Sequence, residues 1–233
     1  ILCFFPMLAL AQEEDQSKYM VGAVPEVNGK VVFSQEINAP NLSKDQIFDA
    51  ILAWANTRFK TDKGNWGMVA YSNKEEGQIA CYGNEYIVFA DKTFSLDRAK
   101  INYRMNFVCT SGKCNVEVTN ITYLYPEDSR ERLAAEEWIT DKQAMNKDQT
   151  KLINRIAKFR IKTIDLVESL NEGAQKSLGI QNAPVATKTT TTPQQVAPVQ
   201  TVATISAAPG DALQGYKRIA PDKIPGNIIK MLS

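Results

Sequence analysis

Arg104-Met105-Asn106-Phe107-Val108-Cys109-Thr110-Ser111-Gly112-Lys113-Cys114-Asn115-Val116-Glu117-Val118-Thr119 is the stretch that decides the fold. Two runs of alternating apolar and polar residues flank the loop Thr110-Ser111-Gly112-Lys113, the pattern of an antiparallel hairpin with one buried face. Pairing Cys109 with Cys114 sets the register, placing Phe107 opposite Val116 and Met105 opposite Val118, apolar against apolar. The same register puts Asn106 opposite Glu117 and Arg104 opposite Thr119, so the other face is predicted to be polar and wet. Beyond Val118 the apolar parity slips to Ile121, Tyr123 and Tyr125, which predicts a bulge near Thr119 and Asn120. Cys109 and Cys114 read either as a disulfide across the hairpin or as two small buried hydrophobes.

Outward from this hairpin the period stays at two. Residues 66–126, broken by turn residues at 73–77, 91–92 and 111–112, predict four antiparallel strands, with Cys81 a buried, inert thiol in one of them. Upstream, Asn28-Gly29 predicts a tight turn between the runs 19–26 and 31–37, the second a strand. Ser43-Lys44-Asp45-Gln46 has capping-box spacing, and Ile47, Phe48, Ile51, Leu52, Trp54 and Ala55 continue it as a helix over 44–57. Downstream, 131–145 predicts a short helix carrying Ala134, Trp138 and Met145 on one side. Residues 150–170 predict a longer helix that packs Leu152, Ile156, Phe159, Val167 and Leu170 and turns Lys151, Arg155, Lys158 and Lys162 to the opposite side. Arg160 breaks the apolar side, and its stem is expected to snorkel past it.

The chain has 233 residues, 44% of them hydrophobic, enough for one cored domain with additional segments. Its 27 Lys and Arg balance 26 Asp and Glu, which removes the overall attraction of a dedicated nucleic-acid or anionic-membrane binder. The absence of histidine excludes Ser-His-Asp and Cys-His catalysis and His-ligated zinc within this chain. Residues 1–11, an apolar run ending in Ala9-Leu10-Ala11, read as a signal-peptide remnant too short to span a bilayer. Export to the periplasm, envelope or exterior is the expected localisation, one that permits disulfides. The organisation that follows is a domain over 12–172, a Thr/Pro/Ala/Gln-rich flexible, disordered linker over 173–214, and the start of a second domain over 215–233.

Three segments carry a family resemblance: Val24-Pro25 with Gly29-Lys30-Val31-Val32-Phe33, Ala135-Glu136-Glu137-Trp138-Ile139-Thr140-Asp141-Lys142, and Lys158-Phe159-Arg160-Ile161-Lys162-Thr163-Ile164-Asp165. Together they resemble a bacterial family of secreted domains of unknown function with a TBP-like fold, over about residues 19–170. The resemblance implies an α+β fold, a curved antiparallel sheet with helices packed on one face, and carries over no catalytic residues. The tail Ile219-Ala220-Pro221-Asp222-Lys223-Ile224-Pro225-Gly226-Asn227-Ile228-Ile229-Lys230-Met231-Leu232 resembles the lead-in to flavin reductase-like, FMN-binding split-barrel domains. That implies FMN in a domain after residue 233 and no cofactor in this chain.

No phosphate loop, metal-ligand spacing or catalytic constellation is present in the sequence. Glu136, Glu137 and Asp141 read as a solvated helix face; Tyr123, Tyr125 and Trp138 read as core, or as the lining of a ligand groove. The expected function is a noncatalytic accessory or binding module of an exported protein, its contacts made by Arg104, Asn106, Glu117 and Thr119 on the sheet and by Lys151, Arg155, Lys158 and Lys162 on the helix. A protein, a glycan or a small anionic ligand is the expected partner. DNA is not, because fold alone does not transfer function and the polar sheet face carries Glu117 beside Arg104. The alternatives are the N-terminal module of a flavin reductase-like protein and an oligomerisation domain that uses a sheet edge.

Overall fold

In the computed structural model, residues 16–62, 64–92 and 95–180 are described. The leader, most of the linker and the FMN-domain resemblance lie outside them. Asn28 (φ 51°) and Gly29 (φ 72°) both take the left-handed conformation that a two-residue hairpin turn requires. They join β1 (Glu26–Val27) to β2 (Lys30–Val31) in a small ribbon. Of the run 19–26 that precedes the turn, only Glu26 lies in a strand. Gln16–Tyr19, which leads into that run, is a 3-10 turn whose Lys18 and Tyr19 side chains are tied to Asp165, 3.0 and 2.7 Å away.

β3 (Phe33–Asn38) leads to α1 (Lys44–Arg58). The capping box is present in both directions: Ser43 Oγ accepts from the Gln46 N–H at 3.3 Å, and Gln46 Oε1 accepts from the Ser43 N–H at 2.9 Å. The helix buries Ile47, Phe48, Ile51 and Ala55.

Four long strands follow: β4 (Trp66–Asn73), β5 (Gln78–Lys92), β6 (Ser95–Thr110) and β7 (Lys113–Leu124). With β3 they make one antiparallel sheet in the order β3-β7-β6-β5-β4, and β8 (Arg132–Ala134) pairs with Thr122–Leu124 at the end of β7. The β6–β7 register is the one the alternation predicts, with Phe107 opposite Val116, Met105 opposite Val118 and Arg104 opposite Thr119. Pairing continues inward to Thr110 and Lys113, which leaves a two-residue turn. The register shifts between Asn102 and Arg104, where Asn120 (φ 54°) is the extra residue on β7. The bulge restores Ile121 and Tyr123 to the buried face.

That face carries Ile79, Cys81, Ile101, Tyr103, Met105, Phe107, Val116 and Val118, all nearly inaccessible, and the helices cover it. Trp54 of α1 meets Phe107 edge to face at 6.0 Å between centroids, a contact worth about 0.5–1.5 kcal/mol beyond its buried area.

Three expectations for the C-terminal half are corrected. Residues 131–145 form no single helix. They are β8, then one turn α2 (Ala135–Trp138) and one turn α3 (Asp141–Ala144), split at buried Ile139 and Thr140. Apolar residues of this segment lie on more than the one side that carries Ala134, Trp138 and Met145: Leu133 pairs with Tyr123 at the β7 edge, and Ile139 is buried between the two turns. The long helix, α4 (Asn154–Ser177), starts four residues later than expected, because Asn146 Oδ1 accepts the Thr150 and Lys151 N–H groups in a turn. It also ends later, so residues 173–177 belong to the domain and not to the linker. A Cβ at Gly173 would stand 2.8 Å from the Trp54 indole nitrogen, and Ala174 and Leu178 are buried. The third correction is Arg160, which does not snorkel. It is fully buried, donating to the carbonyls of Tyr19 (2.7 Å), Met20 (2.6 Å) and Ile139 (2.8 Å) and to Asp141 Oδ1 (2.6 Å).

Candidate functional site

Side chains alternate across the pleat, so residues paired across strands share a face. One row of the sheet's outer face runs Met68, Tyr82, Arg104, Thr119; the next runs Tyr71, Ala80, Asn106, Glu117, Ser34. The four sheet residues singled out by sequence are thus brought together. Arg104 Nε donates to Asn106 Oδ1 at 2.8 Å, and its guanidinium lies 5.9 Å from the Tyr82 ring centroid. Beside them an open depression of about 430 Å³ is lined by Ser34, Glu36, Asn106, Val108, Asn115 and Glu117.

Sequence reasoning missed the apolar half of this face. Trp66, Met68, Tyr71, Tyr82 and Val108 are between 41 and 48% exposed, whereas Cys81 and Phe107, one position from Tyr82 and Val108, are buried. Tyr82 was legible, since Ile79 and Cys81 point inward on the same strand. Tyr71 was not, because the register shift between Val69 and Tyr71 reverses parity at Ala70.

The four basic residues expected on one helix face do not form a stripe. Lys151 lies before the helix begins, and Lys162 is half-buried along it. Lys158 turns inward: its Nζ is 2.7 Å from Asp97 Oδ2 and 2.9 Å from the Tyr125 hydroxyl, and 4.5 Å from both the Phe89 and Tyr125 ring centroids. Burial alone would lower its pKa, but the bonds to Asp97 and Tyr125 outweigh it and raise it above the ordinary lysine value. Arg155 stays exposed and, with Lys158, Tyr125 and Trp138, lines a groove of about 540 Å³.

The remaining candidates are structural. Tyr123 is core, its hydroxyl 2.7 Å from Thr163 Oγ1. Glu136 accepts the Val31 N–H at 3.0 Å, and Asp141 accepts the Gly22 N–H at 2.7 Å as well as Arg160. Of that acidic group only Glu137 is exposed. Cys109 and Cys114 face each other as buried thiols with Sγ atoms 3.8 Å apart. The hydrogen bond from Cys114 eases ionisation of Cys109, and the same bond, with burial, pushes Cys114 up. Burial pushes the Cys81 thiol up to about 12. Among the described residues no group of acidic or cysteine side chains is placed to hold a metal, and no helix is long and apolar enough to cross a membrane.

Residues 33–124 match the family described as a domain of unknown function (DUF4468) with TBP-like fold. A solved DUF4468 family protein from Bacteroides ovatus is 40% identical, with a TM-score of 0.68 over 74% of this chain and 100% of that one. A TBP-like protein from Parabacteroides distasonis is 28% identical, with a TM-score of 0.56 over 67% of this chain and 97% of that one. No curated protein matches. With two-fifths identity across the whole of a solved family member, and one antiparallel sheet backed by helices on a single face, the chain belongs to the DUF4468 family of TBP-like domains of unknown function.

Proposed function

We propose that this domain is a noncatalytic binding module, an accessory part of an exported protein, and that its contact surface is the outer face of the sheet. The observation that carries this reading is the exposure of Trp66, Met68, Tyr71 and Tyr82 beside Arg104 and Asn106, on the face opposite the helices. Contiguous exposed apolar surface rimmed by polar groups marks interaction sites, and aromatic residues with arginine are the residues that dominate them. The mixture suits a partner with both apolar and hydrogen-bonding surface, a protein or a glycan. Glu117 on the same face offsets Arg104, and Glu36 is matched by Lys113 at 2.7 Å, a balance that disfavours a polyanion such as DNA.

The titratable groups argue in the same direction. Those pushed well above their ordinary values by burial and buried hydrogen bonds include Cys81, Cys114, Tyr103 and Tyr123, all in the core rather than set in a cleft. Tyr103 is further occupied in donating to Glu85 Oε1 at 2.6 Å, a carboxylate that Arg58 also clamps.

The test is a thermal-shift screen of the full chain against proteins, glycans and small anions, repeated on the double variant Tyr82→Ser, Arg104→Ala. A ligand that binds only the native state raises its melting temperature. The expected result is a shift that the variant loses. Hydrolytic turnover of any panel member would sink the noncatalytic part of the reading.

A further inference from the structure

We propose that the groove between β8 and the start of α4 binds a small amphipathic anion, a carboxylate carried on an apolar body. This site is separate from the sheet face, so its failure leaves that reading in place. Its volume, about 540 Å³, lies within the roughly 300–1,000 Å³ of small-molecule pockets, which are mostly apolar with a few placed polar groups.

The walls are aromatic and held in fixed orientation. Phe159 is met edge-on by Tyr125 at 5.2 Å and by Trp138 at 5.5 Å between centroids, and Leu133 of β8 closes the side. Such a cradle is preformed, so an apolar ligand body can enter without ordering the protein.

The polar groups set the sign of the ligand. Lys158 lines the groove, but Asp97 already matches its charge at 2.7 Å. Arg155 also lines it, and among the described residues no carboxylate pairs with its guanidinium. The Trp138 indole Nε1–H is buried without an acceptor, a condition that a native structure normally avoids. One unmatched cation beside an apolar floor calls for one negative charge on an apolar body, and a guanidinium favours the planar fork of a carboxylate. Two features that look unrelated in sequence, the aromatic pair Tyr125 and Trp138 and the basic residues Arg155 and Lys158, meet only in this groove.

The experiment is calorimetric titration of the full chain with octanoate and, as the neutral counterpart, 1-octanol. Octanoate is expected to bind saturably at one site, and octanol at least about tenfold more weakly. Arg155→Gln is expected to weaken octanoate by about tenfold and leave octanol unchanged. Lys162→Gln, on the same helix but outside the groove, is expected to change neither. Arg155 is exposed, so its variant keeps the fold, which an unchanged melting curve verifies. The proposal is overturned by the absence of saturable octanoate binding, by equal binding of octanoate and octanol, or by an Arg155→Gln protein that binds octanoate like the wild type.

Discussion

Cys109 and Cys114 stand directly opposite each other across the β6–β7 hairpin, with Sγ atoms 3.8 Å apart and both side chains buried. Only small side-chain rotations separate this geometry from a bond, which closes a loop short enough to contribute about 2 kcal/mol by limiting the unfolded chain. Incubation with a disulfide oxidant such as oxidised glutathione is expected to remove two hydrogens from the protein mass and to raise its melting temperature. Cys109→Ser is expected to show neither change. An oxidised protein that melts with the reduced one would contradict the expectation.

Arg160 joins α4 to the N-terminal segment and to the break between α2 and α3 through four hydrogen bonds. Removing the guanidinium strips the Tyr19, Met20 and Ile139 carbonyls of their donor and leaves Asp141 with the Gly22 N–H alone, so Arg160→Ala is expected to cost about 3–5 kcal/mol in urea unfolding. Lysine cannot reproduce the planar fork, and Arg160→Lys should recover little of the loss. Proteolysis near Met20 should accelerate in both variants while the sheet remains protected.

Stability is expected to fall at alkaline pH. The folded state holds the Cys81 proton up to about pH 12, whereas the unfolded thiol loses it near its ordinary value of 9.0. A raised folded pKa means the contribution is complete below pH 9 and is lost as pH rises toward 12, at up to about 1.4 kcal/mol per pH unit. Tyr103 and Tyr123, both pushed up chiefly by burial, add to the fall above pH 10. Urea midpoints at pH 8, 9.5 and 10.5 measure this, with Cys109 and Cys114 oxidised so that they do not titrate. Cys81→Ala should be less stable throughout and shallower in slope between pH 9 and 10.

The domain extends past residue 172. A chain ended at 172 loses the burial of Ala174 and Leu178 and should be less stable than one ended at 180 by roughly 2–4 kcal/mol. Equal melting temperatures for the two would restore the shorter boundary.

The hairpin register and the bulge near Asn120 were legible because one buried face forces parity, and a slip in parity has one local remedy. The fate of Arg160 was not legible. Three of its four partners are main-chain carbonyls, which no residue type announces. Periodicity also failed for 131–145, where a strand edge competed with a weak helix. Of the candidate site, the polar half of the sheet face was read from the register. The exposed Trp66, Met68 and Tyr71 lie along a strand whose own bulge conceals which face they share. The basic residues were read as a stripe, but aromatic packing draws Lys158 inward and leaves Arg155 at a groove.

Because Tyr82 and Arg104 are surface residues, their replacement should alter stability by no more than about 0.5 kcal/mol each, and binding losses can be read without unfolding. The most direct measurement is the thermal-shift screen of the wild-type chain and of Tyr82→Ser, Arg104→Ala, run side by side on the same protein, glycan and anion panel. The expected result is at least one ligand that raises the wild-type melting temperature and leaves the variant unmoved. Equal shifts in both proteins, or no shift from any panel member, would contradict the sheet face as the contact surface.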